Sequence, residues 1–189
     1  PPSKAGFSSS ARLYASQFIG RPRRRHPVWR QGRQAALAWQ HDGAPRVLCL
    51  HGWLDNAASF LPLAARFEGF DLVALDLPGH GHSDHRHPSA RYHFIDYLFD
   101  VDAALDALGW KDCHVLGHSL GSAIATVFTS AAPERVRSLT LLDGVGPIAG
   151  DASKSAERLR RSLVRSRQSP SARRRYGSLG EMVEARRNA

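Results

Sequence analysis

Between positions 47 and 142 the chain alternates two hydrophobic rhythms. Short unbroken apolar runs, Val47-Leu48-Cys49-Leu50, Leu72-Val73-Ala74-Leu75, His114-Val115-Leu116 and Leu139-Thr140-Leu141-Leu142, have strand length and predict buried strands. Between them the apolar positions follow a helical period. Phe60, Leu63, Ala64 and Phe67 predict a helix over 57–67. Phe94, Leu98, Val101, Leu105 and Leu108 recur at spacings of four and three and predict an amphipathic helix closed by Gly109. Residues 120–132 predict another, stopped by Pro133. Strands alternating with helices imply an α/β fold whose mostly parallel sheet carries helices on both faces. Ligands of such sheets bind beyond the carboxyl ends of the strands. Here those ends carry His51-Gly52, Asp76, Ser119 and Asp143, so one edge collects the residues with chemistry.

The flanks read differently. Residues 1–26 are rich in Ser, Arg and Pro and lack a period, which suggests a disordered extension or an acid-free leader. From Pro27 to Gln40, Val28-Trp29 and the apolar residues 35–39 flank Gln31-Gly32-Arg33, the outline of a β-hairpin. Beyond 150, Ala152, Ala156, Leu159 and Leu163 mark an Arg-covered helix, Arg173-Arg174-Arg175 a loop, and Ser178-Leu179-Gly180-Glu181 a capping box that opens a last helix.

Charge alters the picture only once it is divided. The net +9 resembles a nucleic-acid signal, yet residues 42–150 hold seven basic and thirteen acidic side chains. Residues 1–41 hold eight basic and no acidic ones, and 151–189 eleven against four, so the excess lies at the ends. The acidic centre argues against a nucleic-acid partner. No apolar run reaches the ~20 residues of a membrane span. Two cysteines, Cys49 and Cys113, both inside apolar runs, read as core thiols and favour a reducing, cytoplasmic setting. The Arg- and Ser-rich start keeps a mitochondrial alternative open. Nothing in the sequence specifies an oligomeric state.

The candidate chemistry centres on Gly117-His118-Ser119-Leu120-Gly121, a G-x-S-x-G turn between a strand and a helix. That spacing is the form of a nucleophile elbow, with the serine hydroxyl raised on a tight turn. Glycines on either side fit where a Cβ would clash. Asp76, Gly79 and Gly81 read as turn-shaping residues. His80, His82, His85 and His87 lie in one loop without the carboxylate or cysteine partners of a metal site, and read as surface or substrate-rim histidines, with no metal and no cofactor implied.

The order His51-Gly52-Trp53, then Asp76-x-Pro78-Gly79-His80-Gly81-x-Ser83, then the elbow resembles the α/β-hydrolase superfamily. The run from Leu50 to Phe60 is similar to its serine hydrolase-like (kraken-type) branch. The resemblance implies the α/β-hydrolase fold, a Ser-His-acid triad, small ester-like substrates and a helical cap after the sixth strand. The chain then divides into an extension over 1–26, the first part of the core over 27–150 and the start of the cap over 151–189. It further implies Ser119 as nucleophile, the backbone N–H groups of Leu120 and Trp53 as oxyanion donors, and His51, Gly52 and His118 beside the substrate. Asp143 stands as triad acid or as a strand-end residue.

No histidine follows His118, so the triad order Ser-acid-His is not completed within these residues. Two readings stand: the first part of a serine hydrolase, its fold truncated after the sixth strand, or an inactive relative that binds a partner. Both expect little turnover from the 189 residues alone, and both leave the sixth strand as an apolar edge prone to association.

Overall fold

The computed structural model describes residues 13–19, 33–39, 41, 43–66, 69–147, 150–167 and 176–187. Among the described residues six strands form one sheet: β1 (Leu13–Ile19), β2 (Gln34–Trp39), β3 (Arg46–Leu50), β4 (Asp71–Leu75), β5 (Cys113–His118) and β6 (Val136–Leu142). Their order is β1-β2-β4-β3-β5-β6. The first two pairings, β1 with β2 and β2 with β4, are antiparallel, and β4, β3, β5 and β6 run parallel.

Successive residues of a strand point to opposite faces, and here both faces are apolar. Leu48, Leu50, Val73, Leu75 and Val115 enter one core with α2 (Asp96–Leu108) and α3 (Leu120–Ala131), through Val101, Leu105, Ile124 and Phe128. Val47, Cys49, Leu72, Ala74 and Leu116 enter the other, against Ala57, Phe60 and Ala64. This two-sided burial is why the strands read as unbroken apolar runs. Cys49 and Cys113 are free and buried. Burial pushes both thiols up, Cys113 to about 12, which suits core residues rather than reactive ones.

Helix α2 keeps the expected spacing, and Gly109 ends it in the left-handed region at φ 69°, with Trp110 N–H returning to Leu105 O. The helix expected over 57–67 is shorter. A 3-10 turn, Ala57–Phe60, is capped by the Asn56 side chain on Ala58 N–H and leads into α1 (Leu61–Ala64). Pro62 has no N–H to continue the first ladder, so the segment restarts as a single α turn.

The extension expected over 1–26 is not featureless, because its residues 13–19 form β1. Of the expected hairpin, Val28 and Trp29 lie outside the described residues, and β2 pairs with β1 instead. The Arg173–Arg175 loop also lies outside them.

By contact the chain divides into Pro1–Ile148 and Ala149–Ala189. The second unit holds α4 (Ser155–Arg167) and α5 (Leu179–Arg187). Half of the expected capping box is seen, Ser178 Oγ accepting Glu181 N–H, while the Glu181 carboxylate accepts the N–H of Gly177, one residue before the cap.

Candidate active site

The turn from β5 into α3 holds Ser119 at φ 49° and ψ −110°, a conformation that costs on the order of 1–3 kcal/mol for a residue with a Cβ. Two glycines make the turn possible. A Cβ on Gly121 would stand 2.0 Å from Leu50 O, and one on Gly117 would stand 2.6 Å from Gly121 O. The helix therefore packs directly on the end of β3. Hydrogen bonds lock the strained residue: Ser119 N–H donates to Leu142 O at 2.9 Å, and Ala123 N–H donates to Ser119 O at 3.1 Å. Ser119 itself is exposed.

Ser122 is a part of this turn that the motif does not announce. Its buried hydroxyl reaches Gly117 O at 2.7 Å and Leu142 O at 3.1 Å, tying the elbow to two strands. Only the adjacency of β5 and β6 in the sheet gives that hydroxyl its second partner, so spacing alone carries no sign of it.

Beside the elbow runs the loop after β3. A Cβ on Gly52 would lie 3.0 Å from His118 Nδ1 and 3.5 Å from Ser119 Cβ, so glycine is what allows loop and elbow to touch. Asp55 N–H closes a turn on Gly52 O at 3.2 Å, with Leu54 at φ 57°. The N–H groups of Trp53 and Leu120 donate to no group among the described residues. Two open donors beside an exposed serine hydroxyl suit a developing oxyanion.

His51 stands apart from its expected place beside a substrate. It is 0% exposed, and both ring nitrogens are engaged: Nδ1–H donates to Gly52 O at 2.7 Å and Nε2 accepts Leu77 N–H at 3.0 Å. Burial is the main force that lowers its pKa, which favours the neutral ring. Gly52 and half-buried His118 do stand at the elbow, the His118 ring against Gly52.

Asp76 shapes its turn. Its carboxylate accepts Ala57 N–H at 2.7 Å and His82 N–H at 2.8 Å, and a Cβ on Gly81 would overlap it. Ser83 Oγ donates to Asp76 O and accepts Ala35 N–H at 2.8 Å, binding the same turn to β2.

The loop histidines have separate surroundings. His80 is 8% exposed, with its ring 5.1 Å from that of His51 and 5.4 Å from that of Trp53, so it is not a rim residue. His85 meets Tyr92 OH, and His87 meets Ser89 Oγ. Among the described residues no group of three His, Cys, Asp or Glu side chains is arranged to hold a metal ion.

Asp143 follows β6 at φ 53°, exposed, and its backbone neighbours the elbow: a Cβ on Gly144 would lie 3.5 Å from Ser119 O. An open cleft of about 520 Å³ lies elsewhere, at the opposite ends of the strands. It is lined by Arg46, Asp71, Asp112 and Arg137 and holds no nucleophile.

A family model described as alpha/beta hydrolase fold matches residues 45–187. A serine hydrolase-like protein of Danio rerio is 35% identical over 158 residues, covering 82% of this chain and 46% of its own length. One of Homo sapiens is 42% identical over 115 residues, covering 59% of this chain and 56% of its own. The chain thus spans about half the length of these curated relatives. A solved structure of a hypothetical protein from Pseudomonas aeruginosa matches with a TM-score of 0.76 at 36% identity, covering 90% of this chain and 58% of that one. No described helix is long and apolar enough to cross a membrane. The family match runs through the loop after β3, the turn after β4 and the elbow, the three places where the geometry converges, and the chain belongs to the α/β-hydrolase family, in its serine hydrolase-like branch.

Proposed function

We propose that these residues carry the nucleophile and oxyanion half of a serine hydrolase acting on carboxylic esters or related small acyl compounds. The observation that carries the reading is the exposed, strained Ser119 with the Gly52 loop packed against its turn, where the N–H groups of Trp53 and Leu120 donate to no described group. In this mechanism Ser119 Oγ attacks the acyl carbon and gives its proton to a base. The carbonyl oxygen becomes an oxyanion held by the two N–H groups, and its collapse expels the alcohol and leaves an acyl-serine that water then hydrolyses. Each donor contributes about 3–4 kcal/mol to such a step. Asp143, beside the elbow, is the acid that would orient the base.

A second reading, a binding protein without turnover, draws on one observation. Among the described residues no histidine nitrogen is hydrogen-bonded to Ser119. Both readings expect the chain alone to turn over p-nitrophenyl acetate little faster than its Ser119→Ala variant. Added imidazole separates them by supplying a base from solution. Imidazole-dependent fluorophosphonate labelling at Ser119, lost in Ser119→Ala, supports the hydrolase. An unlabelled Ser119 at every imidazole concentration supports the binding protein.

A further inference from the structure

We propose that His51 is a positioning residue, whose Nδ1–H tautomer aims the Trp53 N–H into the oxyanion pocket by holding the Gly52 carbonyl on the opposite side of the same peptide plane. The inference rests on the oxyanion role proposed for Trp53. Its geometry is independent of that role.

Gly52 C=O and Trp53 N–H belong to one peptide unit, and no peptide bond among the described residues is cis, so the two groups point in opposite directions. Whatever fixes the carbonyl therefore fixes the N–H. Two donors fix it: His51 Nδ1–H at 2.7 Å and Asp55 N–H at 3.2 Å. The imidazole bond is the shorter, and it comes from a ring with no freedom to move. Its other nitrogen accepts Leu77 N–H, two residues past the end of β4, and the ring is fully buried.

A carbonyl can only accept and a backbone N–H can only donate, so these two partners admit a single protonation state. Nδ1 must carry the hydrogen and Nε2 must not. An imidazolium would set Nε2–H against Leu77 N–H, donor against donor. The ring would then have to turn, releasing Gly52 and with it the direction of the Trp53 N–H. Burial and the neighbouring His80 disfavour a charged ring and outweigh the opposite pull of the Gly52 carbonyl and of the Asp76 and Asp55 carboxylates. His80 stands 5.1 Å away, donating Nδ1–H to Pro78 O at 3.2 Å. Of the nearby carboxylates, Asp76 is occupied by Ala57 N–H and His82 N–H, and Asp55 accepts Ser59 Oγ–H.

The test reads the tautomer and the amide directly. In the ¹⁵N-labelled 189-residue chain, long-range imidazole correlations should show His51 with a protonated Nδ1 and a bare Nε2. The Trp53 amide is read in parallel in two variants. His51→Asn keeps a donor near the Nδ1 position and should leave the Trp53 amide resonance near its original place. His51→Gln places its amide near the Nε2 position, where the oxygen can accept Leu77 N–H, but leaves no donor at the Nδ1 position and should displace the Trp53 resonance, while the Leu120 amide stays put in both. Where Ser119 is labelled by a fluorophosphonate in the presence of imidazole, His51→Gln should slow labelling about 10²-fold and His51→Asn much less, as for loss of one oxyanion donor.

An Nε2–H tautomer would overturn the inference, as would a Trp53 amide indifferent to His51→Gln in a folded variant. If neither variant folds, the tautomer of the unmodified chain decides alone. An unreactive Ser119 would sink the hydrolase reading and leave the tautomer and amide results standing, so the two failures are separable.

Discussion

At Gly121 one methyl group would have to share space with the carbonyl oxygen of Leu50, 2.0 Å from where the Cβ would sit. Backbone on both sides leaves no flexible side chain to yield, so Gly121→Ala should push α3 off the end of β3. The expected cost exceeds the about 1–3 kcal/mol of ordinary overpacking. It should appear as a fall of roughly 5 °C or more in the thermal midpoint, given about 2–4 °C per kcal/mol at this size. A melt within a degree of the parent would contradict the close approach. Ser122→Ala should act more mildly, about 1–3 kcal/mol, by leaving Gly117 O and Leu142 O without the buried hydroxyl. The two residues also mark what a sequence can show at this scale. The glycines and Ser119 are legible because the turn's steric demand is local. The roles of Ser122 and His51 are not, although His51 itself stands out in the sequence, because their partners, Leu142 O and Leu77 N–H, are brought to them by the fold.

Helix α2 was legible in its apolar stripe, yet its most consequential side chain is polar. Asp100 is 2% exposed and forms a buried ion pair with Arg86, which sits 5.6 Å from the Tyr92 ring centre and 5.8 Å from that of Tyr97. Tyr92 OH in turn accepts Arg86 N–H at 2.9 Å, and the Tyr92 ring leaves no room for a Cβ on Gly79. The pair thereby fastens the long segment after β4, which carries the Asp76 turn, to the helix that backs the sheet. Burial raises the Asp100 pKa to about 7 against the pull of Arg86. Removing that cation by Arg86→Met should strand a buried carboxylate and cost about 3–5 kcal/mol at pH 8. The sign with pH follows from linkage. A folded pKa above the unfolded value of about 3.9 means the native state holds the proton more tightly. Stability therefore falls as pH rises from about 4 through 7. Arg86→Met raises the folded pKa further, so its deficit should be smaller at pH 5 than at pH 8 in urea titrations. A deficit equal at both values would show that Asp100 is not the group left behind. Nothing in the 4-3-4-3 spacing marks Asp100 as buried, since it stands beside Val101 in sequence and its partner lies fourteen residues away in a loop.

For the whole molecule, the parallel strands β3 to β6 were legible because each is apolar on both faces or ends in a polar turn, whereas β1 was not. Its residues lie in an Arg- and Ser-rich stretch, and they become a strand only by pairing with β2. At the other end of the sheet, β6 hydrogen-bonds to β5 on one side, and no described strand lies on its other. Leu139 and Leu141 still pack against the core, while Ser138, Thr140 and Leu142 are exposed, so one face is covered and one is bare. A seven-residue open edge without proline, next to a half-bare face, is a template for pairing with another chain. The 189 residues alone should therefore associate as concentration rises, and sedimentation should give a weight-average mass above the 20.8 kDa of one chain. Thr140→Lys should shift this toward the single chain without lowering the melt, because Thr140 is exposed and a charge on an edge strand discourages pairing without disturbing the core. If Thr140→Lys associates as the parent does, pairing runs through another surface. If the parent stays a single chain at every concentration, the edge is protected and the exposed face of β6 does not drive contact.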